Sequence, residues 1–469
     1  MLGLVCFDTP DRVAIITEAG QAISYSDLKA DIERVSQHLR PRELTFIIGR
    51  NDYPTVLLYL SALSRGTVPL LLNGEKPVEH YAELIKRFAP QSIFCRTEMD
   101  GFCPSFEEGA YTLYQNLNST EPRLHPDLAY LAATSGSTGE PKLVRHTLNN
   151  LVSNAAAIAE YLDICPDDRA LASLPVSYSY GLSVVNSHLY SGASIVLTNS
   201  GMMEKEHWAL MREHETTSFA GVPYHYEMLL RLKLARLKLP ALAKMTQAGG
   251  RLDPENILKV QDACEAEGIK FWTMYGQTEA SPRMSYLPPQ DIKAKPASIG
   301  KAIPGGRLWV EGENTADITQ SGQVGELVYE GPNVCMGYAH SAEDLALGDE
   351  NHGILRTGDL ARADADGHFY IEGRLGRFLK IYGNRISLDQ IERFVQDKGY
   401  DCAAHGWDDH LIVEVVDIAS QPADDLRHEL AIFADINTSA IDVTAIADLP
   451  RLETGKVDYQ CLMKKHKQP

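Results

Sequence analysis

Three hydroxyls, two glycines and a lysine crowd into Ser135-Gly136-Ser137-Thr138-Gly139-Glu140-Pro141-Lys142, directly after the apolar run Tyr130–Thr134. Hydroxyls and backbone N–H groups donate well to phosphate oxygens, and Lys142 adds a compact positive charge. Gly136 and Gly139 permit positive φ and a close approach of ligand to backbone. The chemistry such a loop serves is the holding of phosphates, although taken alone it also reads as a flexible turn. The GxxxxGK[ST] spacing of a Walker loop is absent, as are protein-kinase motifs, which disfavours an ordinary ATPase or a kinase. Downstream, Tyr275-Gly276-Gln277-Thr278-Glu279-Ala280 combines a ring, a hydroxyl and a carboxylate. On its own it reads either as a helix cap or as a nucleotide contact: a flat ring suits a base, and a hard cation prefers carboxylate oxygens. Arg356-Thr357-Gly358-Asp359-Leu360 and Leu449-Pro450-Arg451-Leu452-Glu453-Thr454-Gly455-Lys456 are in isolation a structural turn and a solvated lysine.

Taken in order, these segments resemble the signature motifs of the adenylate-forming superfamily: acyl-CoA synthetases, peptide-synthetase adenylation domains and beetle luciferases. The likeness runs from Val13 to Tyr459 and is closest to a compact stand-alone acyl ligase. It implies that Thr134, Ser135, Gly136, Ser137, Thr138, Gly139 and Lys142 hold the phosphates of ATP. By the same match Tyr275 and Gly276 lie against adenine, Gly249 and Gly250 form the adenine-side loop, and Thr278 contacts the α-phosphate. Glu279 would hold Mg²⁺, Asp359 the ribose hydroxyls and Arg374 nucleotide oxygens. Lys456 would be the adenylation lysine, bridging the substrate carboxylate and the α-phosphate. The resemblance also implies a hinge at Gly376, a thiol-channel glycine at Gly383, and an acid pocket among Tyr178, Ser179, Tyr180, Ser183, Val222, Tyr224 and Thr273.

The elements that must position these groups show in the rhythm of the sequence. Val13–Thr17, Leu44–Ile48, Thr67–Leu72 and Ser92–Cys95 read as strands separated by helical segments. The pattern continues through Tyr130–Thr134, Ala170–Leu174, Ser194–Leu197, Ser218–Gly221 and Met245–Ala248. Leu28, Ile32, Val35 and Leu39 share one helical face, with Ser26 as the expected N-cap. Strands alternating with helices predict an α/β unit with mostly parallel sheets. Between 299 and 372 the short strands Arg307–Val310, Glu326–Tyr329 and His368–Ile371 predict a β-rich subdomain. The resemblance adds a boundary at 375/376: an N-terminal AMP-binding domain of layered α/β subdomains over 1–375, and a small mobile α+β domain over 376–469.

Composition narrows the function further. With 469 residues and 44% apolar content the chain can bury a large core. A net charge of −19 argues against nucleic acid or an anionic membrane as main partner. No apolar run approaches the roughly 18 residues of a membrane helix, and Met1–Asp8 does not read as a secretory signal. Eight scattered cysteines without a CxxC pair read as free thiols in the cytoplasm.

The expected activity is ATP- and Mg²⁺-dependent activation of a carboxylic acid to acyl-AMP, followed by transfer to a phosphopantetheine thiol. The acceptor is either a holo acyl or peptidyl carrier protein, which the stand-alone length favours, or coenzyme A. Arg374, Arg377, Lys380, Arg385, Arg393 and the basic Lys464, Lys465 and Lys467 are expected to form a positive collar for that acceptor. Three departures from the family pattern stand out. Tyr178 replaces a frequent histidine, and Gly376 replaces a charged hinge residue. Ser179 stands where α-amino-acid enzymes commonly carry an aspartate, so a neutral-tailed acid is expected rather than an amino acid. The alternatives are a stand-alone amino-acid adenylating enzyme, a catalytically reduced nucleotide-binding module, and a luciferase-like oxygenase.

Overall fold

The computed structural model describes residues 3–117, 123–134, 142–312, 321–382, 384–451 and 457–466, apart from the side chains of Thr134, Asn384 and Arg385. By compactness the chain divides into two units, Met1–Arg307 with Tyr329–Leu355, and Leu308–Val328 with Arg356–Pro469. The 375/376 boundary groups most of the Gly- and Asp-punctuated strands with the first domain, whereas compactness groups them with the second unit.

The first unit holds two large sheets. In the nine-stranded sheet, Val13–Ile16, Ser194–Leu197, Arg169–Ala172, Ser218–Gly221, Lys244–Gln247 and Lys270–Gly276 run parallel. Its margins are antiparallel: Ala22–Ser24 on one side, Arg283–Leu287 and Lys301–Ala302 on the other. In the eight-stranded sheet, Leu44–Gly49 lies between Val68–Asn73 and Ser92–Cys95 in parallel register. Outside that centre every ladder but one is antiparallel, so "mostly parallel" holds for the first sheet and fails for the second. The physical reason is local: Leu128–Thr134 and Lys142–Thr147 follow one another in the chain and pair with Thr134 opposite Lys142, and a connection of seven residues is too short to cross over to a parallel partner. Residues 135–141, between those strands, lie outside the described residues.

Helices fill the space between the sheets. Tyr53–Arg65 is buried continuously from Thr55 to Leu63, as expected of a helix that is apolar all round. Each fully buried leucine or valine there contributes about 1.5–3 kcal/mol. Tyr25–Ser36 buries Leu28, Ile32 and Val35, but its N-cap is Ser24, not Ser26. Ser24 accepts from the N–H of Asp27, whose carboxylate reaches back to the Ser24 N–H, and this reciprocal pair starts the helix earlier.

The second unit is α+β. It carries most of a four-stranded sheet (Arg307–Glu311, Gly325–Glu330, Ile354–Ala363, Phe369–Arg374) and the ribbon Phe378–Ile381/Asn384–Ser387. A three-stranded sheet of Cys402–Trp407, His410–Val416 and Ile441–Ile446 completes it, with helices Leu388–Gln396, Ser420–Ala434 and Tyr459–Lys465. Its core is aliphatic, with Ile381, Ile391, Val395, Leu411, Val413, Val415 and Leu430 each at most 1% exposed.

Candidate active site

Strand Lys270–Gly276 delivers Tyr275 and Gly276 to its end, and Gly276 is forced there by packing. A Cβ at this position would stand 1.7 Å from the carbonyl oxygen of Pro282, a backbone atom. The chain then makes a single 3₁₀ turn over Thr278–Ala280, so the segment is a strand end and tight turn rather than the cap of an α-helix. Two bonds lock the turn: Asn333 Nδ2 donates to the Ala280 carbonyl at 2.6 Å, and the Cys335 N–H to the Glu279 carbonyl at 2.8 Å. The Thr278 hydroxyl lies 3.2 Å from that of Ser179, the first residue of helix Ser179–Tyr190.

Glu279 and Lys142 meet on a residue that sequence reasoning missed. Tyr338 donates its hydroxyl to Glu279 Oε1 at 2.6 Å, and the Lys142 ammonium stands 3.6 Å from the centre of its ring. Burial, and then the facing carboxylate, push the Tyr338 phenol well above the ordinary tyrosine range, so it is a donor at neutral pH. Strand Gly337–Ala339 is held beside Lys142–Thr147, with Tyr338 opposite Val144. The fully buried Arg145 fixes it further, donating to the carbonyls of Tyr338 (3.0 Å), Met336 (3.3 Å), Leu347 and Gly348 (3.1 Å) and pairing with Glu350 at 2.5 Å. An aromatic residue after a glycine is the only sequence signal Tyr338 gives.

Among the described residues the partly exposed carboxylate of Glu279 is engaged by one hydroxyl, at Oε1, and a hard oxygen donor of this kind fits Mg²⁺. Gly249 is required by conformation and by space: φ is +84°, and a Cβ would come within 2.5 Å of the Tyr178 hydroxyl and 3.0 Å of Val222. Gln247 holds the following loop by donating to the Gly250 carbonyl at 2.9 Å. Gly249, assigned to the adenine side, is thus brought against Tyr178 and Val222, assigned to the acid pocket.

The expected acid pocket divides. Tyr180 is buried, its hydroxyl bonded to the Thr246 carbonyl at 2.8 Å, and Ser183 donates to the Tyr180 carbonyl at 2.7 Å. Both line a small cavity of about 20 Å³ with Met274 and Arg283. A second cavity of about 10 Å³ is lined by Ser179, Ser183 and Thr278, among others. Tyr178, Val222, Tyr224 and Thr273 line neither. Tyr224 is half-exposed because helix Pro223–Leu232 turns Tyr226 and Leu229 inward instead. Thr273 is buried, with a hydroxyl that finds no partner.

In the second unit, Asp359 and Arg374 are cross-strand neighbours, and Arg374 Nε donates to the buried Asp359 carboxylate at 2.9 Å. Gly376 is exposed, and a Cβ there would meet nothing within 4 Å, so any side chain fits. Three members of the expected positive collar, Arg374, Arg377 and Arg393, are ion-paired. Arg377 pairs with Asp389 (2.6 Å) and Glu392 (2.8 Å) and packs on the Tyr459 ring, while Arg393 pairs with Glu372 at 3.3 Å. These pairs tie helix Leu388–Gln396 to the strand and turn before it. Ser135, Gly136, Ser137, Thr138, Gly139, Gly383, Lys456 and Lys467 lie outside the described residues, as do the side chains of Thr134 and Arg385.

The family model described as AMP-binding enzyme matches residues 5–339. The chain is 24% identical over 476 residues to the 2-succinylbenzoate–CoA ligase of Listeria monocytogenes, covering 98% of this chain and 97% of that protein. It is 25% identical over 403 residues to the indoleacetate–CoA ligase of Aromatoleum aromaticum, covering 80% and 78%. Its fold is similar to that of ATP-bound MatB from Rhodopseudomonas palustris, with a TM-score of 0.79, 23% identity, and 98% and 97% of the two chains covered.

Proposed function

The chain belongs to the AMP-binding enzyme family, and from that premise we propose a division of labour among its residues. The protein is an AMP-forming acid–thiol ligase. ATP activates a carboxylic acid as acyl-AMP with release of pyrophosphate, and a phosphopantetheine thiol then takes the acyl group and releases AMP. The observation that carries the assignment of roles is the Lys142–Tyr338–Glu279 contact, which places a cation and a metal-type carboxylate side by side within the family-matched span.

In this reading Lys142 and the hydroxyl-rich loop hold the phosphates that leave, while Thr278 and Ser179 meet the carboxylate and α-phosphate. Glu279, held by Tyr338, is the residue that would bind Mg²⁺, whose charge offsets that of the phosphates when bound. Gly249 and Gly250, with Tyr275 and Gly276, leave a flat slot for adenine; Asp359 and Arg374 serve ribose and nucleotide oxygens, and Lys456 the developing charge at the α-phosphate. Gly376 is the proposed hinge of a mobile C-terminal domain, its open surroundings supporting that role, and Gly383 the proposed thiol-channel glycine.

The curated relatives named above are coenzyme A ligases, and on that similarity the reading moves from a carrier protein to free coenzyme A. Among the described residues no helix is long and apolar enough to cross a membrane, and a cytoplasmic location is part of this proposal. The acceptor is tested by thioester yield with coenzyme A against a panel of holo carrier proteins. Efficient acyl-CoA formation is expected; transfer to a carrier alone would overturn that assignment.

A further inference from the structure

Arg283 is a guanidinium buried to 3% exposure on the edge strand Arg283–Leu287. Its main chain is fully engaged, the carbonyl accepting from Asn154 at 3.0 Å and Asn333 at 2.8 Å, so the strand fixes where the side chain starts. The guanidinium lies 3.9 Å from the centre of the Tyr180 ring and beside the Tyr161 phenol. Its Nε has no hydrogen-bond partner, and among the described residues no carboxylate pairs with it. The other cation at the same cavity, Lys244, is closed off by Asp168 at 2.6 Å.

A buried charge without a counter-ion is among the most destabilising arrangements in a protein. Stacking on a tyrosine recovers only part of that loss. Such a cation is explained when a ligand brings the missing anion. The position is right for a substrate. Arg283 lines the cavity that contains Tyr180 and Ser183, and Ser183 also lines the neighbouring one, which contains Thr278 and Ser179. Thr278 and Arg283 thus line two cavities that share Ser183, and a single segment of the chain carries both.

Resting on the ligase reading, we infer that the acid this enzyme activates is short and carries a second anionic group, most simply a second carboxylate, which Arg283 binds while the reacting carboxylate meets Thr278 and Ser179. At about 20 Å³ the cavity holds a water-sized group, so an acid must displace side chains to reach Arg283, and more of them the longer its chain. This replaces the expectation of a neutral tail. Ser179 argued only against an ammonium group, which Arg283 would also repel, whereas the burial of Arg283 is invisible in the sequence.

The test is ATP–pyrophosphate exchange by the full chain with a graded series of short straight-chain diacids, each set beside its own monomethyl ester. The expected result is a kcat/KM about 10²-fold or more higher for a diacid than for its monoester. Arg283→Met should erase that preference by lowering the diacid value while sparing the monoester, and Arg283→Lys should keep part of it. The wild-type comparison decides even if the methionine variant fails to fold. Exchange with monoesters equal to or above that with diacids overturns the inference and leaves the ligase intact. Exchange with neither series, in protein that still binds ATP, overturns both.

Discussion

The hydroxyl of Tyr338 holds Glu279 and its ring carries Lys142, so two substitutions separate the contacts. Tyr338→Phe keeps the ring and removes the donor. A hydrogen bond to a charged group contributes roughly 1.5–3 kcal/mol, so adenylation should slow at least about tenfold and require more Mg²⁺ for half-maximal rate. Superimposable Mg²⁺ titrations of variant and wild type would show the hydroxyl to be structural. Lys456→Ala should lower acyl-adenylate formation by about 10²–10³, the usual effect of removing one group that stabilises developing charge. Thiolysis of supplied acyl-AMP should be spared; near wild-type pyrophosphate exchange would remove the lysine from the reaction. Lys142, Thr278 and Glu279 were legible in the sequence because reactive groups in ordered motifs announce themselves. Tyr338, Arg145 and Arg283 were not, because what makes them matter is burial and cross-strand register. Neither is a local property of the sequence.

At the scale of elements, the site depends on a strand that ends without room for a side chain. Gly276→Ala would drive a Cβ into the Pro282 carbonyl, so strand Lys270–Gly276 and the following turn must part. Overpacking of this kind costs about 1–3 kcal/mol. Thermal unfolding should begin at lower temperature, and ATP affinity should fall with it. A variant with unchanged midpoint and unchanged ATP binding would show that the turn is not held as described. The parallel strands at the sheet centres were readable from their short apolar runs, several to the residue, such as Ser92–Cys95 and Ser218–Gly221. The antiparallel margins were not, since which strand a hairpin arm pairs with is settled by distant partners. The Ser24 cap was misread by two residues because Ser24 and Ser26 are chemically equal, and only the reciprocal bond with Asp27 distinguishes them.

For the whole molecule, buried imidazoles contribute a pH dependence, His146 and His188 among them. Burial lowers the pKa of His146 to about 3 and that of His188 to about 4, whereas both return to about 6.5 on unfolding. Between those values the unfolded chain binds more protons than the folded one, so stability rises with pH and is lost as pH falls below about 6.5. At pH 5 each histidine should contribute about 2 kcal/mol less stability than at pH 7. Chemical denaturation across that range checks it: His146→Gln and His188→Gln should each flatten the slope, and an unchanged slope in both would contradict it. The adenylate-forming architecture itself was legible because its motifs occur in order, whereas the division into units was not, since no change of composition marks it. The central claim is the chemistry of ATP cleavage. Incubating the full chain with Mg²⁺, ATP, coenzyme A and a panel of short acids, and identifying the nucleotide formed, tests it most directly. The account predicts acid-dependent production of AMP and pyrophosphate, with one AMP for each thioester. Acid-dependent formation of ADP and phosphate, or thioester formation without AMP, would contradict it.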